Sequence, residues 1–319
     1  MVATVPGMRI VPVNGLELAV EVHGDPDGLP LVLVSGMGQH LVGWHPELLT
    51  SMVRRGYRVI VFDNRDVGHS THLDWHGEPD LLAIVNGETE LAPYRLEDLA
   101  ADTLGLMDVL GLDSAHVLGL SLGGMVAQIL ALTSPERVRS ITSVMSHPGD
   151  PTVKPTDEAV DLLLRPSPTN LAEFVLAAEE SARVIGSPEF VLDVEWLRTR
   201  SAVLWERRQN PAGVARQLAA VLVAPDRTEA LRALRVPALV VHGTLDPLIP
   251  VRGGRLTAAA IPSAELMEID GMGHDLPRQI WSRLLDRLED VTHHGETVRA
   301  DAARTRAPDS MVRTPVSPP

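Results

Sequence analysis

Apolar and polar positions follow two different periods along this chain. Runs that are continuously apolar, or apolar at every second position, predict β-strands, whereas apolar residues three or four positions apart predict helices. The predicted strands are Met8–Val13, Leu16–His23, Leu31–Val34, Val59–Phe62, His116–Leu118, Val138–Met145, Ala238–Val241 and Ala264–Ile269. The predicted helices between and after them are Trp44–Arg55, Leu96–Leu110, Met125–Leu132 and Ile280–Leu288. Such alternation predicts an α/β fold with a mostly parallel sheet that helices cover on both faces.

The alternation is interrupted in the middle of the chain, where residues 148–232 have helical or irregular patterns. The helices predicted there are Asp157–Leu164, Leu171–Ile185, Val191–Gln209 and Pro211–Val223. We therefore expect one sheet domain, formed by residues 1–147 and 233–290, with a helical insertion at 148–232. Residues 291–319 are polar, rich in arginine and proline and without periodicity, which predicts a disordered tail.

Composition excludes several classes of function. The net charge of −14 argues against a general nucleic-acid or anionic-membrane binder, because both need a basic surface. The absence of cysteine excludes disulfides, thiolate metal sites and a cysteine nucleophile. No apolar run is long enough to span a membrane, and the first seven residues lack a signal-peptide pattern. We expect a cytoplasmic protein that acts on a small molecule, and its oligomeric state stays open.

A candidate nucleophile lies between a predicted strand and a predicted helix. The pattern Gly119-x-Ser121-x-Gly123 follows the strand that ends at Leu118 and precedes the apolar helix that begins at Met125. In a sharp strand-to-helix turn the serine backbone is strained, and small neighbours let its hydroxyl project above the sheet. The alternative is a glycine-rich turn in which the serine only caps a helix. The strand–turn–helix context favours a nucleophilic serine.

Two further residues complete a candidate catalytic triad. His274 lies in a loop between Gly273 and Asp275, after the predicted strand Ala264–Ile269, and it is the candidate base. Asp246 follows the predicted strand Ala238–Val241, and its carboxylate would accept the imidazole N–H and fix the tautomer. The alternative role of Asp246 is to start a turn before a proline. All three candidates follow strand carboxyl ends, where sheets of this kind place their sites.

Backbone N–H groups are the candidate donors of an oxyanion hole. Leu122 directly follows the candidate nucleophile, and Met37 lies in the loop Ser35-Gly36-Met37-Gly38 after an early strand. Glycines in that loop allow the backbone to approach a tetrahedral intermediate closely. Loss of one such donor typically slows a reaction by about 10²–10³. The alternative is a plain strand-to-helix turn.

With these motifs the sequence resembles the α/β-hydrolase family over about residues 8–290. Within the family it is similar to the aclacinomycin methylesterase group, which shares the pattern Asp-x-Arg-Asp-x-Gly-x-Ser at residues 63–70 and Gly-Met-Gly-His-x-Leu-Pro at 271–277. The order serine, aspartate, histidine is the one known for this fold. The resemblance implies that substrate binds between the sheet and a helical cap, here the insertion. The first glycine loop begins Ser35-Gly36 where many relatives have His-Gly, which alters side-chain support but not the backbone donors.

The expected reaction is hydrolysis of a carboxylic ester, or a related acyl bond, of a small to medium apolar substrate through an acyl-enzyme on Ser121. No cofactor or metal is expected, because the sequence has no zinc-type ligand cluster and no phosphate-binding loop with its lysine. The same triad also cleaves carbon–carbon bonds, thioesters or lactones, or performs perhydrolysis. A lyase, a cyclase or a binding protein on the same scaffold are the alternatives from other classes.

Overall fold

The computed structural model describes residues 7–306. Its strands are β1 (Arg9–Val13), β2 (Leu16–His23), β3 (Leu29–Val34), β4 (Tyr57–Phe62), β5 (Ala115–Leu120), β6 (Val138–Val144), β7 (Ala238–Gly243) and β8 (Ala264–Ile269). Its α-helices are α1 (Pro46–Arg54), α2 (Leu81–Val85), α3 (Leu96–Val109), α4 (Leu122–Thr133), α5 (Asp157–Leu163), α6 (Leu171–Val184), α7 (Val194–Glu206), α8 (Pro211–Leu222), α9 (Thr228–Leu231), α10 (Arg252–Ala260) and α11 (Trp281–Arg306). Short 3₁₀ turns occur at Leu41–Gly43, Asp74–His76, Thr89–Leu91, Pro135–Arg137 and Arg278–Ile280.

The strands of the described chain form one eight-stranded sheet in the order β1-β2-β4-β3-β5-β6-β7-β8. The pairs β1–β2 and β2–β4 are antiparallel, and every other neighbouring pair is parallel. The predicted α/β fold with a mostly parallel sheet is therefore confirmed. The carboxyl ends of β3, β5, β7 and β8 lie at one edge, because parallel strands end on the same side.

Two apolar layers lie on the two faces of the sheet. Side chains alternate between faces along a strand, so Val32 of β3 packs in one layer and Leu33 packs in the other. Helices α3 and α4 cover the first layer, and helices α1 and α11 cover the second. Strands buried on both faces need continuous apolar sequence, which is why Leu31–Val34 of β3 and Val59–Phe62 of β4 are unbroken apolar runs.

The insertion between β6 and β7 is helical, as predicted, and contains α5 to α9. Its later helices pack into the body of the protein, since Ala220 of α8 and Leu231 of α9 belong to the same apolar layer as α3 and α4. Two ion pairs between buried side chains also join this segment to the loop after β4: Arg207 with Asp63, and Arg216 with Asp66. The exact domain boundaries stay a prediction.

The structure differs from the sequence prediction in the carboxyl-terminal region. Residues 291–306, expected to be disordered, continue helix α11. Tertiary contacts support this part of the helix: the hydroxyl groups of Thr292 and Tyr57 hydrogen-bond at 2.7 Å, and Glu296 pairs with Arg139 at 3.0 Å. The prediction of disorder is therefore wrong for this stretch. The rest of the predicted tail, residues 307–319, lies outside the described residues. Among those described, no helix is both long enough and apolar enough to cross a membrane.

Candidate active site

Ser121 occupies a sharp turn between β5 and α4 with φ 53° and ψ −116°, a backbone conformation that a non-glycine residue adopts only under strain. Its backbone N–H donates to the carbonyl of Val144 on β6 at 2.9 Å. Gly119 and Gly123 flank the serine, and the backbone approaches both positions too closely for a side chain. A Cβ on Gly119 would lie 2.0 Å from the carbonyl oxygen of Gly123, and one on Gly123 would lie 2.1 Å from that of Val34. The turn thus has the geometry expected of a nucleophile elbow.

The structure brings the other two triad candidates together. The Nδ1 atom of His274 lies 2.7 Å from Oδ2 of Asp246, with the aspartate buried and the histidine ring partly covered. With Nδ1 engaged by the carboxylate, Nε2 is the nitrogen free to take up a proton. No hydrogen bond joins the Ser121 hydroxyl to this ring in the described chain. Such contacts are often long in unliganded sites and shorten when substrate binds.

The Asp246 carboxylate is held in place by backbone donors. The N–H groups of Leu248 and Ile249 both donate to its Oδ1 at 2.9 Å. Burial by itself raises the pKa of Asp246, but the positive charge of His274 and hydrogen bonds from His242, His274 and Ile249 outweigh burial and lower this pKa below its usual value. The side chain is therefore an anion positioned to orient the imidazole and to stabilise its protonated form.

The two candidate oxyanion donors approach the elbow from different strands. Leu122 is the first residue of α4, so its N–H has no acceptor within the helix. The loop that contains Met37 runs beside the nucleophile, since a Cβ on Gly36 would lie 3.6 Å from Cβ of Ser121. The hydroxyl of Ser35 accepts a hydrogen bond from the indole N–H of Trp44 at 3.0 Å, which supplies side-chain support to this loop.

The helical insertion holds two loops of the candidate site, the loop after β3 and the loop of His274, by contacts that sequence reasoning missed. The side-chain oxygen of Gln217 on α8 accepts the N–H of Gly38 at 2.8 Å. After α6, the carbonyl of Ile185 accepts the N–H of His274 at 2.6 Å, and the hydroxyl of Ser187 accepts the N–H of Gly273 at 2.9 Å. No local sequence pattern marks these residues, because their partners lie 86 or more positions away.

A cavity of about 490 Å³ lies between the carboxyl edge of the sheet and helices α6 and α7. Met37, His274 and Leu120, the neighbour of Ser121, contribute to its wall. Its remaining walls are largely apolar or aromatic and include Met145, Phe174, Phe190, Trp196, Leu204 and Trp281. Its volume suits a small to medium organic molecule. Within residues 7–306 no cluster of three or more histidine, aspartate or glutamate side chains has an arrangement that could hold a metal ion.

Comparison with known proteins agrees with this architecture. A family model described as alpha/beta hydrolase fold matches residues 30–277. Rhodomycin D methylesterase of Streptomyces peucetius is 28% identical over 294 residues, which cover 84% of this chain and 92% of that protein. The rhodomycin D methylesterase of Streptomyces sp. strain C5 is 27% identical over 294 residues, which cover 84% of this chain and 92% of that protein. The resemblance to methylesterases seen in the motifs is therefore confirmed.

Solved structures of similar fold include enzymes with different names. The enol-lactonase from Burkholderia xenovorans LB400 superposes with a TM-score of 0.67 at 23% identity, covering 89% of this chain and 99% of that one. An esterase from Rhodococcus sp. ECU1013 superposes with a TM-score of 0.68 at 22% identity, covering 90% of this chain and 98% of that one. At these identities the likeness shows the fold alone.

Proposed function

Because this chain belongs to the α/β-hydrolase fold family, we propose that it is a serine hydrolase that cleaves a carboxylic ester of a small to medium, largely apolar substrate. The observation that carries the proposal is the His274–Asp246 hydrogen bond of 2.7 Å on the same cavity edge as the strained Ser121 turn. The methylesterase relatives support a methyl ester as one of the first substrates to test.

The proposed reaction has two halves. His274 Nε2 takes the hydroxyl proton of Ser121 as the oxygen attacks the ester carbonyl, and Asp246 stabilises the imidazolium that forms. The N–H groups of Met37 and Leu122 donate to the oxyanion of the tetrahedral intermediate. The imidazolium then protonates the departing alcohol, which leaves an acyl group on the serine. Water, deprotonated by His274, attacks this acyl-enzyme and releases the acid and the free serine.

The substrate-binding arrangement is part of the same proposal. Residues 1–147 and 233–290 form the catalytic body, and the helical insertion at 148–232 acts as a cap over the cavity, where the aromatic residues of α6 and α7 contact the acyl group. No cofactor or metal takes part in the proposed reaction. The cytoplasmic location and the absence of a nucleic-acid partner, expected from the sequence, stay predictions.

The test is hydrolysis of a chain-length series of p-nitrophenyl esters, and of aromatic methyl esters, by wild type and Ser121→Ala. We expect wild-type turnover and its loss by at least about 10³-fold in the variant, since no nucleophile remains. The control is Ser134→Ala, which changes a serine at the opposite end of helix α4 and leaves activity intact. Undiminished hydrolysis by Ser121→Ala contradicts the assignment.

Labelling by a fluorophosphonate separates the alternatives. A binding protein on this scaffold does not react, whereas an active triad is labelled at Ser121. If Ser121 is labelled and no ester is cleaved, the triad is functional and the substrate is a thioester, a lactone or a carbon–carbon bond. If neither labelling nor hydrolysis occurs, the proposal of a serine hydrolase is wrong.

A further inference from the structure

Arg200 on α7 is a cation without a partner in the wall of the substrate cavity. It lines the same cavity as His274. It also lines a second cavity of about 550 Å³. Trp44 and Trp196 line both cavities as well, so Arg200 belongs to the wall that the two cavities share. Its Nε atom is buried without a hydrogen-bond partner, and its guanidinium forms no hydrogen bond or ion pair with any residue in the described range 7–306.

Arg200 is partly buried, and burial penalises its charge because no hydrogen bond or ion pair with a described residue offsets the lost hydration. Burial accordingly lowers the pKa of Arg200 from its usual value, although the negative charge of Asp275 opposes this effect. The other arginine that lines this cavity differs, since Arg278 has two carboxylate partners, Glu47 and Asp193. A carboxylate of a bound molecule would supply the paired hydrogen bonds that Arg200 lacks within the described residues.

Asp275 is the carboxylate whose charge acts on Arg200, but it does not form an ion pair with the guanidinium. It lines the cavity beside His274, but its Oδ1 accepts a hydrogen bond from the hydroxyl of Ser187. In the described part of the chain, no ion pair or hydrogen bond joins it to Arg200. Asp275 therefore leaves the N–H donors of the guanidinium available to a molecule in the cavity.

We infer that Arg200 binds a carboxylate of the substrate, so that the ester cleaved here carries a free acid group at a distance from its scissile bond. This inference rests on the proposed function and narrows its substrate class. Trp196, four residues before Arg200 on the same helix face, offers an apolar surface beside the charge. A planar guanidinium pairs with a carboxylate through two parallel hydrogen bonds, which fixes the orientation of the bound molecule.

Binding tests the inference independently of catalysis. Monomethyl esters of the dicarboxylic acids from adipate to sebacate are titrated calorimetrically into Ser121→Ala, which cannot consume them, and the dimethyl esters serve as neutral counterparts. Adding Arg200→Met should raise the dissociation constant of the best monomethyl ester about tenfold to hundredfold and leave that of the dimethyl ester nearly unchanged. Arg200→Lys, which keeps the charge but not the planar fork, should restore part of the lost affinity.

The matched control is Arg198→Met on the same helix. Arg198 is exposed and pairs with Glu179 at 2.6 Å, so its removal changes the net charge equally without touching the cavity. Equal effects of the Arg198 and Arg200 substitutions on the monomethyl ester overturn the inference. So does the absence of binding by every monomethyl ester in the series, or equal weakening of the monomethyl and dimethyl esters by Arg200→Met.

Kinetics on the parent enzyme distinguishes this inference from the proposed function. Wild type should prefer mono-p-nitrophenyl esters of dicarboxylic acids over p-nitrophenyl alkanoates of equal length. Arg200→Met should remove that preference by raising KM for the dicarboxylic acid esters. If wild type hydrolyses neutral esters and is labelled at Ser121 without such a preference, the inference fails and the serine hydrolase stands. If no ester is cleaved and Ser121 is not labelled, but monomethyl esters bind through Arg200, the hydrolase proposal fails and the carboxylate-binding role of Arg200 stands.

Discussion

At the scale of single residues, Asp246 is the best-supported side chain of the candidate site. Both of its oxygens are engaged, Oδ1 by two backbone N–H groups and Oδ2 by His274. A second histidine, His242, lies 3.5 Å from Oδ2 and is itself anchored to the carbonyl of Ile249 at 2.7 Å. The carboxylate is thus fixed by the loop that follows β7, and it can transmit that fixed orientation to the imidazole.

Replacement of Asp246 by asparagine tests this role. The amide keeps the shape of the side chain but removes the negative charge that stabilises the imidazolium. We expect kcat to fall by about 10²–10⁴-fold with a much smaller change in KM. The measurement is steady-state hydrolysis of the best p-nitrophenyl ester.

The control for this substitution is Asp270→Asn, an exposed aspartate at the start of the histidine loop, which should retain wild-type kcat. If kcat of Asp246→Asn falls by less than tenfold while circular dichroism shows an intact fold, the triad assignment is contradicted. A loss of the folded state in both variants points to loop stability rather than catalysis.

At the scale of elements, the elbow depends on how closely α4 approaches the sheet. Gly119, Gly123 and Gly124 each face a neighbour so near that an added Cβ would lie between 2.0 and 2.6 Å from it. The first two contacts are to backbone atoms, which cannot move aside without displacing the strand or the helix. Helix α4 can therefore begin directly after Ser121 only because these positions have no side chain.

Gly119→Ala is expected to distort the elbow. The methyl group meets the carbonyl of Gly123, and we expect a loss of at least about 2 kcal/mol in the free energy of unfolding. Labelling by fluorophosphonate and ester hydrolysis should fall together, because the displaced turn moves the nucleophile. Urea unfolding and the labelling rate are the two measurements.

Gly111→Ala separates steric from conformational effects. Gly111 follows α3 with φ 67° and has open space around the Cβ position, so alanine there costs only backbone strain of about 1 kcal/mol. It should lower stability slightly and leave the labelling rate unchanged. An unaltered labelling rate in Gly119→Ala contradicts the close-approach argument.

At the scale of the whole molecule, buried charges and histidines tie distant parts of the chain together. The Arg207–Asp63 and Arg216–Asp66 pairs connect the helical insertion to the loop after β4, and His40 lies against Arg207. Burial lowers the pKa of His40, His116 and His147 to about 4. These three rings therefore stay neutral in the folded protein at pH values where an unfolded histidine, with a pKa near 6.5, is protonated.

The sign of the resulting pH dependence follows from proton binding. Below pH 6.5 these three histidines bind protons in the unfolded chain, whereas in the folded protein they stay neutral down to about pH 4. The free energy of unfolding therefore falls as the pH decreases through this window. Between pH 7.5 and 5.5 each histidine removes about 1.4 kcal/mol, and the three together about 4 kcal/mol. The measurement is the free energy of unfolding by urea at the two pH values.

His116→Gln should reduce the loss between pH 7.5 and 5.5 by about 1.4 kcal/mol, because one ring no longer titrates in the unfolded chain. His76→Gln, which replaces an exposed histidine, is the matched control and should leave the pH dependence unchanged. A stability that is flat over this window in the wild type shows that the buried rings do not titrate as proposed.

The sequence by itself determined the strands in chain order, most of the longer helices, the position of the elbow and the late loops that carry Asp246 and His274. These features depend on local patterns: apolar runs buried on both faces of a sheet, and glycines where the backbone must turn sharply. Periodicity is a property of neighbouring residues, so it can be read without knowing the rest of the chain.

The tertiary structure alone decided which distant residues support the site and that the last helix continues beyond residue 290. Gln217 meets a loop 179 positions away, and Arg200 lines the cavity from a helix whose sequence pattern predicts only its helical conformation. Helix α11 continues through 291–306 because Thr292 and Glu296 contact residues far along the chain. Contacts between positions so distant in sequence leave no local periodicity, because their energy comes from packing and pairing that exist only once the chain has folded.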